Sequence, residues 1–305
     1  MFVGFHKLFN RSGQTHLNVL KLLYSLVLNI SEMSRDIIGG KSNSTSMTLM
    51  DFAIKICFIV MAIGQFLFAF YVLVFYGKSS INGHFEKWGK VMPTGLIDGD
   101  LLGNLMLGIH LLFAFVITVG GPLQLMPIVR NNFRAFHRIS GRLYIVTAFI
   151  ASITGLYMII TRHTLGEIPL KLANALNAIL IMWFAYLAIK TARERNFKAH
   201  QKWAIRLFIV VSGVWFIRIW YGFCRFIFEG KIPGSAPNLE GITNILIGFG
   251  SYLLPLLLIE LFFLSKNRSS RSLSFTISIS ILLLAIVIAI GTYSFGHIWL
   301  KRLYI

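Results

Sequence analysis

A polytopic bundle of membrane-spanning helices is the fold class that this sequence predicts, and three observations carry it. Of 305 residues, 56% are hydrophobic and only 13% are charged, with a mean hydropathy of +0.73. A soluble domain of this length needs far more charge to cover its surface. The apolar residues also gather into runs of about 20 positions or more, the length an α-helix needs to cross the hydrocarbon core. Finally, these runs do not alternate in polarity, as the roughly 10-residue strands of a membrane barrel do. Backbone amides in lipid must be satisfied within the segment, so helices follow.

Seven stretches qualify, at about 53–76, 102–126, 141–161, 170–189, 204–227, 241–264 and 272–296. The first is free of charge from Ile56 to Tyr76. The second carries His110 and Gln124, and the fourth carries Asn174 and Asn177. The fifth holds Arg218 within its apolar run, and the sixth holds Glu260 near one end. The seventh is long, without charge, and rich in Ser and Thr at its start.

Lys and Arg set the orientation, because cytoplasmic loops carry the excess. The segment before the first stretch and the loops 127–140, 190–203 and 265–271, with their flanks, hold nineteen; the opposite side holds nine. The sequence therefore predicts a multi-pass protein of the cell (inner) membrane, N-terminus inside and C-terminus outside. The formal charge of +18 sits in short loops between apolar runs. That makes anionic lipid headgroups on the inner side, rather than nucleic acid, the expected partner. Cys57 and Cys224 both lie in apolar runs, which leaves no disulfide framework and no Cys-based zinc site.

Residues 1–50 read as an N-terminal extension ahead of a membrane domain at 51–305. Within it, 17–30 has helical apolar spacing but is too short to span, as an interfacial helix would be. No small-residue cleavage site follows an apolar core, so it does not read as a signal peptide. Met33 and Met47 are alternative starts.

One internal repeat is visible. FRAFHRISGRLYIV at 133–146 aligns without gaps with FKAHQKWAIRLFIV at 197–210. Each copy begins in a basic loop and runs into a helix crossing in the same direction, so the hairpins 102–161 and 170–227 form a parallel rather than an inverted repeat.

Polar residues inside a membrane are costly, which makes each one a functional candidate. With a rise of about 1.5 Å per residue, His110 falls roughly 12 Å from its helix end, and Arg218, Asn174 and Asn177 fall in the same layer. That convergence reads as a polar site facing the bundle interior, or as a hydrogen-bond network joining helices. Arg218 lacks an acidic residue at its depth, so an anionic ligand or a cofactor propionate would complement it. A second cluster lies at the inner boundary: Gln124, His137, Arg138, Arg142, His200, Trp203 and Arg206. His137 and His200 can hold a haem iron or carry protons. The aligned Arg142 and Arg206 would flank an anionic group between them. The other reading is a headgroup-facing rim. Glu260 reads as a snorkelling residue or a partner for an inner-loop Arg. His84, His163 and His297 read as solvated interface positions. P-loop, nucleophile-elbow and HExxH patterns are absent.

Several motifs recur in a fixed order: His110, then GGPLQL (Gly120–Leu125), HRISGRLY (His137–Tyr144), Gly155-Leu156-Tyr157, Trp183 with Ala185-Tyr186, HQKWAIR (His200–Arg206) and Arg218. In that order and spacing the stretch 102–227 resembles a prokaryotic family of predicted membrane proteins, the domain of unknown function 2306 family. The chain departs from it at Gln201-Lys202 and at Ile205. The resemblance implies no activity. The His-bearing hairpins look broadly like those of cytochrome b-type electron carriers, which is analogy. Three functions stay open: a redox protein binding haem b or a quinone, a small-solute or ion transporter or sensor, and a non-catalytic assembly protein. The oligomeric state is unspecified.

Overall fold

The computed structural model describes residues 45–303 apart from 90, 92–94, 163–165, 167, 237–238, 240 and 269. The expected interfacial helix at 17–30 and His163 lie outside the described residues. Among the described residues every regular element is helical. The long ones are α1 (Thr45–Val72), α2 (Leu101–Leu125), α3 (Arg134–Thr161), α4 (Ile168–Arg193), α5 (Phe197–Val211), α6 (Gly213–Ile227), α7 (Ile242–Arg268) and α8 (Arg271–Arg302).

Six helices are long and apolar enough to cross a membrane singly, and α5 with α6 is a bent pair long and apolar enough only together, giving seven candidate crossings if the pair is one span. The fold is an all-α polytopic bundle, as its hydropathy predicts. The fifth stretch is not one straight span, however. It is split at Ser212 and bent by 51°. Four consecutive residues, 208–211, are large and apolar, and then Ser212 and Gly213 interrupt them. The Ser212 hydroxyl donates back to the Phe208 carbonyl at 2.7 Å, a bond that weakens and bends a helix locally. At its far end α1 widens into a π-turn, Leu73–Gly77, and continues through Lys78–Ile81. Such turns are rare and recur at functional sites.

The repeated hairpins pack as pairs, α2 on α3 and α4 on α5, and adjoin through α3 and α4. α1 lies along α8, and α6 also packs on α8. The α6–α8 seam is set by small residues: a Cβ on Gly222 would sit 2.5 Å from the Gly291 carbonyl oxygen. Close backbone approach of this kind is how helices associate where the solvent is itself apolar. An aromatic core of Phe68, Tyr71, Phe75, Tyr76, Trp88, Trp215, Phe216 and Trp299 fills the space between α1, α6 and α8.

The motifs have structural reasons. In GGPLQL, Gly121 brings α2 against Phe208, whose ring lies 2.8 Å from where a Cβ would stand. Gln124 donates to Ser140 Oγ at 2.7 Å, tying the end of α2 to the start of α3 inside HRISGRLY. Gly141 lies against this side chain, with a would-be Cβ 2.9 Å from Gln124 Oε1. Gly155 lies beside the His110 ring, which is 3.4 Å from its would-be Cβ, an ordinary contact.

Candidate functional site

Two polar regions stand apart in the bundle. The first surrounds the α5–α6 break. His110, half-buried on α2, has Nδ1 3.0 Å from the Ala151 carbonyl and 3.2 Å from Thr154 Oγ1, both on α3. Nδ1 therefore donates to the carbonyl, and Nε2 keeps its lone pair. Arg218, half-buried on α6, donates from Nη1 to the Val214 carbonyl of its own helix at 2.7 Å. Its guanidinium lies 5.1 Å from the Phe68 ring centre, close enough for a cation–π contact. Tyr76 and Tyr71 lie within electrostatic range of it, as do Arg302 and the His110 ring. Among the described residues no carboxylate pairs with Arg218.

Asn177 is 4% exposed and sits against Gly213, with Nδ2 2.8 Å from that residue's would-be Cβ. Asn174, one turn earlier on α4, is half-buried. Gln65, 2% exposed on α1, donates from Nε2 to Ser212 Oγ at 2.8 Å. Because the Ser212 proton is spent on Phe208, the hydroxyl can only accept from Gln65. That fixes the amide orientation and leaves Gln65 Oε1 as a buried acceptor without a partner. Asn177 Oδ1 and Trp215 Nε1 are likewise buried without partners. Sequence reasoning overlooked Gln65, which stands in an otherwise apolar run and carries the same intramembrane-polar signal as Asn177.

The second region lies at the arginine-rich side. His200 donates from Nδ1 to the Ala188 carbonyl at 2.9 Å, and half-buried His137 lies within electrostatic range of it. Arg206 and Arg142, aligned in the repeat, face different ways. Arg206 is taken up by Glu260 of α7, with Nη2–Oε2 at 2.7 Å, and its guanidinium stacks on Trp203 at 4.4 Å and Phe263 at 5.1 Å. Arg142 is exposed on α3. The pair expected to flank one anion therefore does not do so: α5 turns its arginine into the bundle toward a carboxylate, and α3 turns its arginine out. Trp203 packs on Phe184 with ring centres 5.5 Å apart.

A third polar cluster was not foreseen. Arg162, at the far end of α3, is 5% exposed. It reaches Asp100 Oδ2 at 2.7 and 3.0 Å, Asn104 Oδ1 at 2.7 Å and the Gly95 carbonyl at 3.2 Å. Asp100 also caps α2 by accepting from the Gly103 amide at 2.9 Å. The clamp pins the loop before α2 onto α3. Hydrogen bonding from Arg162 and then from the Gly103 amide holds the Asp100 carboxyl below its ordinary value. A lowered folded value means stability that is present above the unfolded carboxylate range and lost as pH falls through the folded value. Thermal melts should therefore be flat above about pH 5 and drop below about pH 4. Asp100→Asn should abolish the part of that drop that Asp100 supplies, and an unchanged acid limb in the variant would refute this.

His84 lies 3.3 Å from Glu86, and His297 meets Tyr293 edge-on at 4.8 Å. Among the described residues no group of three or more His, Cys, Asp and Glu gathers to hold a metal ion.

A family model described as "Predicted membrane protein (DUF2306)" matches residues 107–262, just over half of the chain. The chain belongs to this family. The match reaches through most of α7, which the motif order alone had left to hydropathy. It takes in His110, the Ser212 break, Arg218 and both members of the Arg206–Glu260 pair, while α1 and α8 lie outside it. No curated protein and no solved structure matches the chain.

Proposed function

We propose that this DUF2306 protein binds a small anionic solute inside the bundle, as a carrier or sensor. The observation that carries the reading is Arg218: a cation within an apolar helix, in range of Tyr71, Tyr76, Arg302 and His110, with no carboxylate against it among the described residues. An intramembrane charge persists where it has a partner. A carboxylate or phosphate group supplies one, in the fork geometry that a guanidinium favours. The break at Ser212 supports the same reading, since broken helices with unsatisfied polar groups line the sites of many carriers. On this reading the arginine-rich loops face the cytoplasm of the cell membrane and the Arg218 layer lies in the outer half.

A second reading rests on His200. Its Nδ1–H is anchored to a backbone carbonyl, as in metal-ligating histidines, so Nε2 can ligate. With His137 near, these residues fit a haem b edge or a quinone head, which would supply electron transfer. His110 has the same anchored tautomer but no second histidine in its layer.

Arg218→Met separates a ligand-binding arginine from helix glue. Melting of the purified protein in mild detergent should show wild type stabilised saturably by one member of a panel of inorganic phosphate, sulfate and mono- and dicarboxylates. The gain is about 2.7 kcal/mol at a hundredfold excess over Kd. Arg218→Met should lose that response while melting no lower than wild type without anion. A variant that melts well below wild type with no anion response in either protein would make Arg218 a packing residue. A haem Soret band in the same preparation would favour the second reading.

A further inference from the structure

We infer that α3 carries, on its lipid-facing side, a docking site for the phosphodiester headgroup of an anionic phospholipid, formed by Arg134, Arg138 and Arg142. The three arginines are spaced by four residues, so they rise along one face of α3 about 6 Å apart. All three are exposed, and among the described residues none is paired with a carboxylate. Four-residue spacing of like charges works against a helix unless something neutralises it.

The same face shows which way they point. Continuing up it, Val146 is 52% exposed and Ile153 48% exposed, with Phe149 beside them. The opposite face, Tyr144, Ala148, Ala151 and Thr154, is buried in the bundle. The exposed face therefore reads as charge for one end and hydrocarbon thereafter, which is the order of headgroup and acyl chain. At 28 residues α3 is about 42 Å long, against roughly 30 Å of hydrocarbon. The excess places the arginine stretch at headgroup level. Arg206 and Arg218 do not share this role, because both turn into the bundle. The site stands independently of the solute reading above.

Native mass spectrometry in mild detergent, with phosphatidylglycerol and phosphatidylcholine added in turn, tests it. Wild type should retain phosphatidylglycerol at a concentration at least about tenfold lower than phosphatidylcholine, the order expected when two or three cation contacts to an anionic headgroup are made. The triple variant R134Q/R138Q/R142Q should lose that preference, and R134K/R138K/R142K should keep most of it. If the triple glutamine variant does not fold, Arg142→Gln alone should reduce the preference several-fold. Equal retention of both lipids by wild type, or an undiminished preference in the glutamine variants, would overturn the site. Saturable stabilisation by inorganic phosphate, lost in the glutamine variants, would overturn the lipid assignment in favour of a free-ion site.

Discussion

Gly291→Val is expected to cost about 3 kcal/mol, at the upper end of what overpacking a helix contact does. The reason is geometric. Gly291 and Gly222 lie back to back, and a Cβ on Gly291 would run into the Ile219 carbonyl while one on Gly222 would run into the Gly291 carbonyl. Neither obstacle is a side chain that can rotate away, so α6 and α8 must separate. Separation opens the aromatic cluster around Phe216, Ile219 and Ile288. Gly296 lies on the same helix with open space around its would-be Cβ, and Gly296→Ala should leave the protein as stable or slightly more so, since Ala is the better helix former. Melting temperature in detergent reads both. Equal tolerance of the two substitutions would show that the seam is not a close backbone contact.

Breaking the Arg206–Glu260 pair has the next largest expected effect. Glu260→Gln leaves the half-buried guanidinium between Trp203 and Phe263 without its countercharge, at a cost of about 3 kcal/mol, the low end for a buried pair because Glu260 retains some exposure. The double variant R206M/E260M should recover much of the loss, because removing both charges also removes their desolvation. A cycle in which the double variant is as unstable as the two single variants combined would mean that the residues act separately. The pair joins α5 to α7 and holds one arm of the broken helix, while the arm that carries Arg218 is held by α8.

The sites differ in how far they could be read without coordinates. Asn177, His110 and Arg218 announce themselves because each is polar within an apolar run, and depth follows from counting residues along a regular helix. Gln65 carried the same signal. Asp100 and Arg162 gave none, because a loop acid and a helix-end arginine 62 positions apart in sequence look like solvated residues until the fold closes the loop over them.

The class and the pairing of the repeated hairpins are legible in the residues alone. These follow from a local rule: each backbone segment in hydrocarbon must bond within itself, so hydropathy and length decide. Which way each polar side chain faces is set by packing in three dimensions. FRAFHRISGRLYIV and FKAHQKWAIRLFIV are near-copies, yet Arg142 is exposed on the outside of the bundle and Arg206 faces Glu260. Rotation of a helix about its axis is fixed by its neighbours, and α7 offers a carboxylate to α5 and none to α3. The 51° bend at Ser212 has the same character. A serine inside a helix does not by itself break it. Beside the Ser212 back-bond, Gln65 of α1 meets that hydroxyl and Asn177 of α4 lies against Gly213, contacts between residues far apart in the chain.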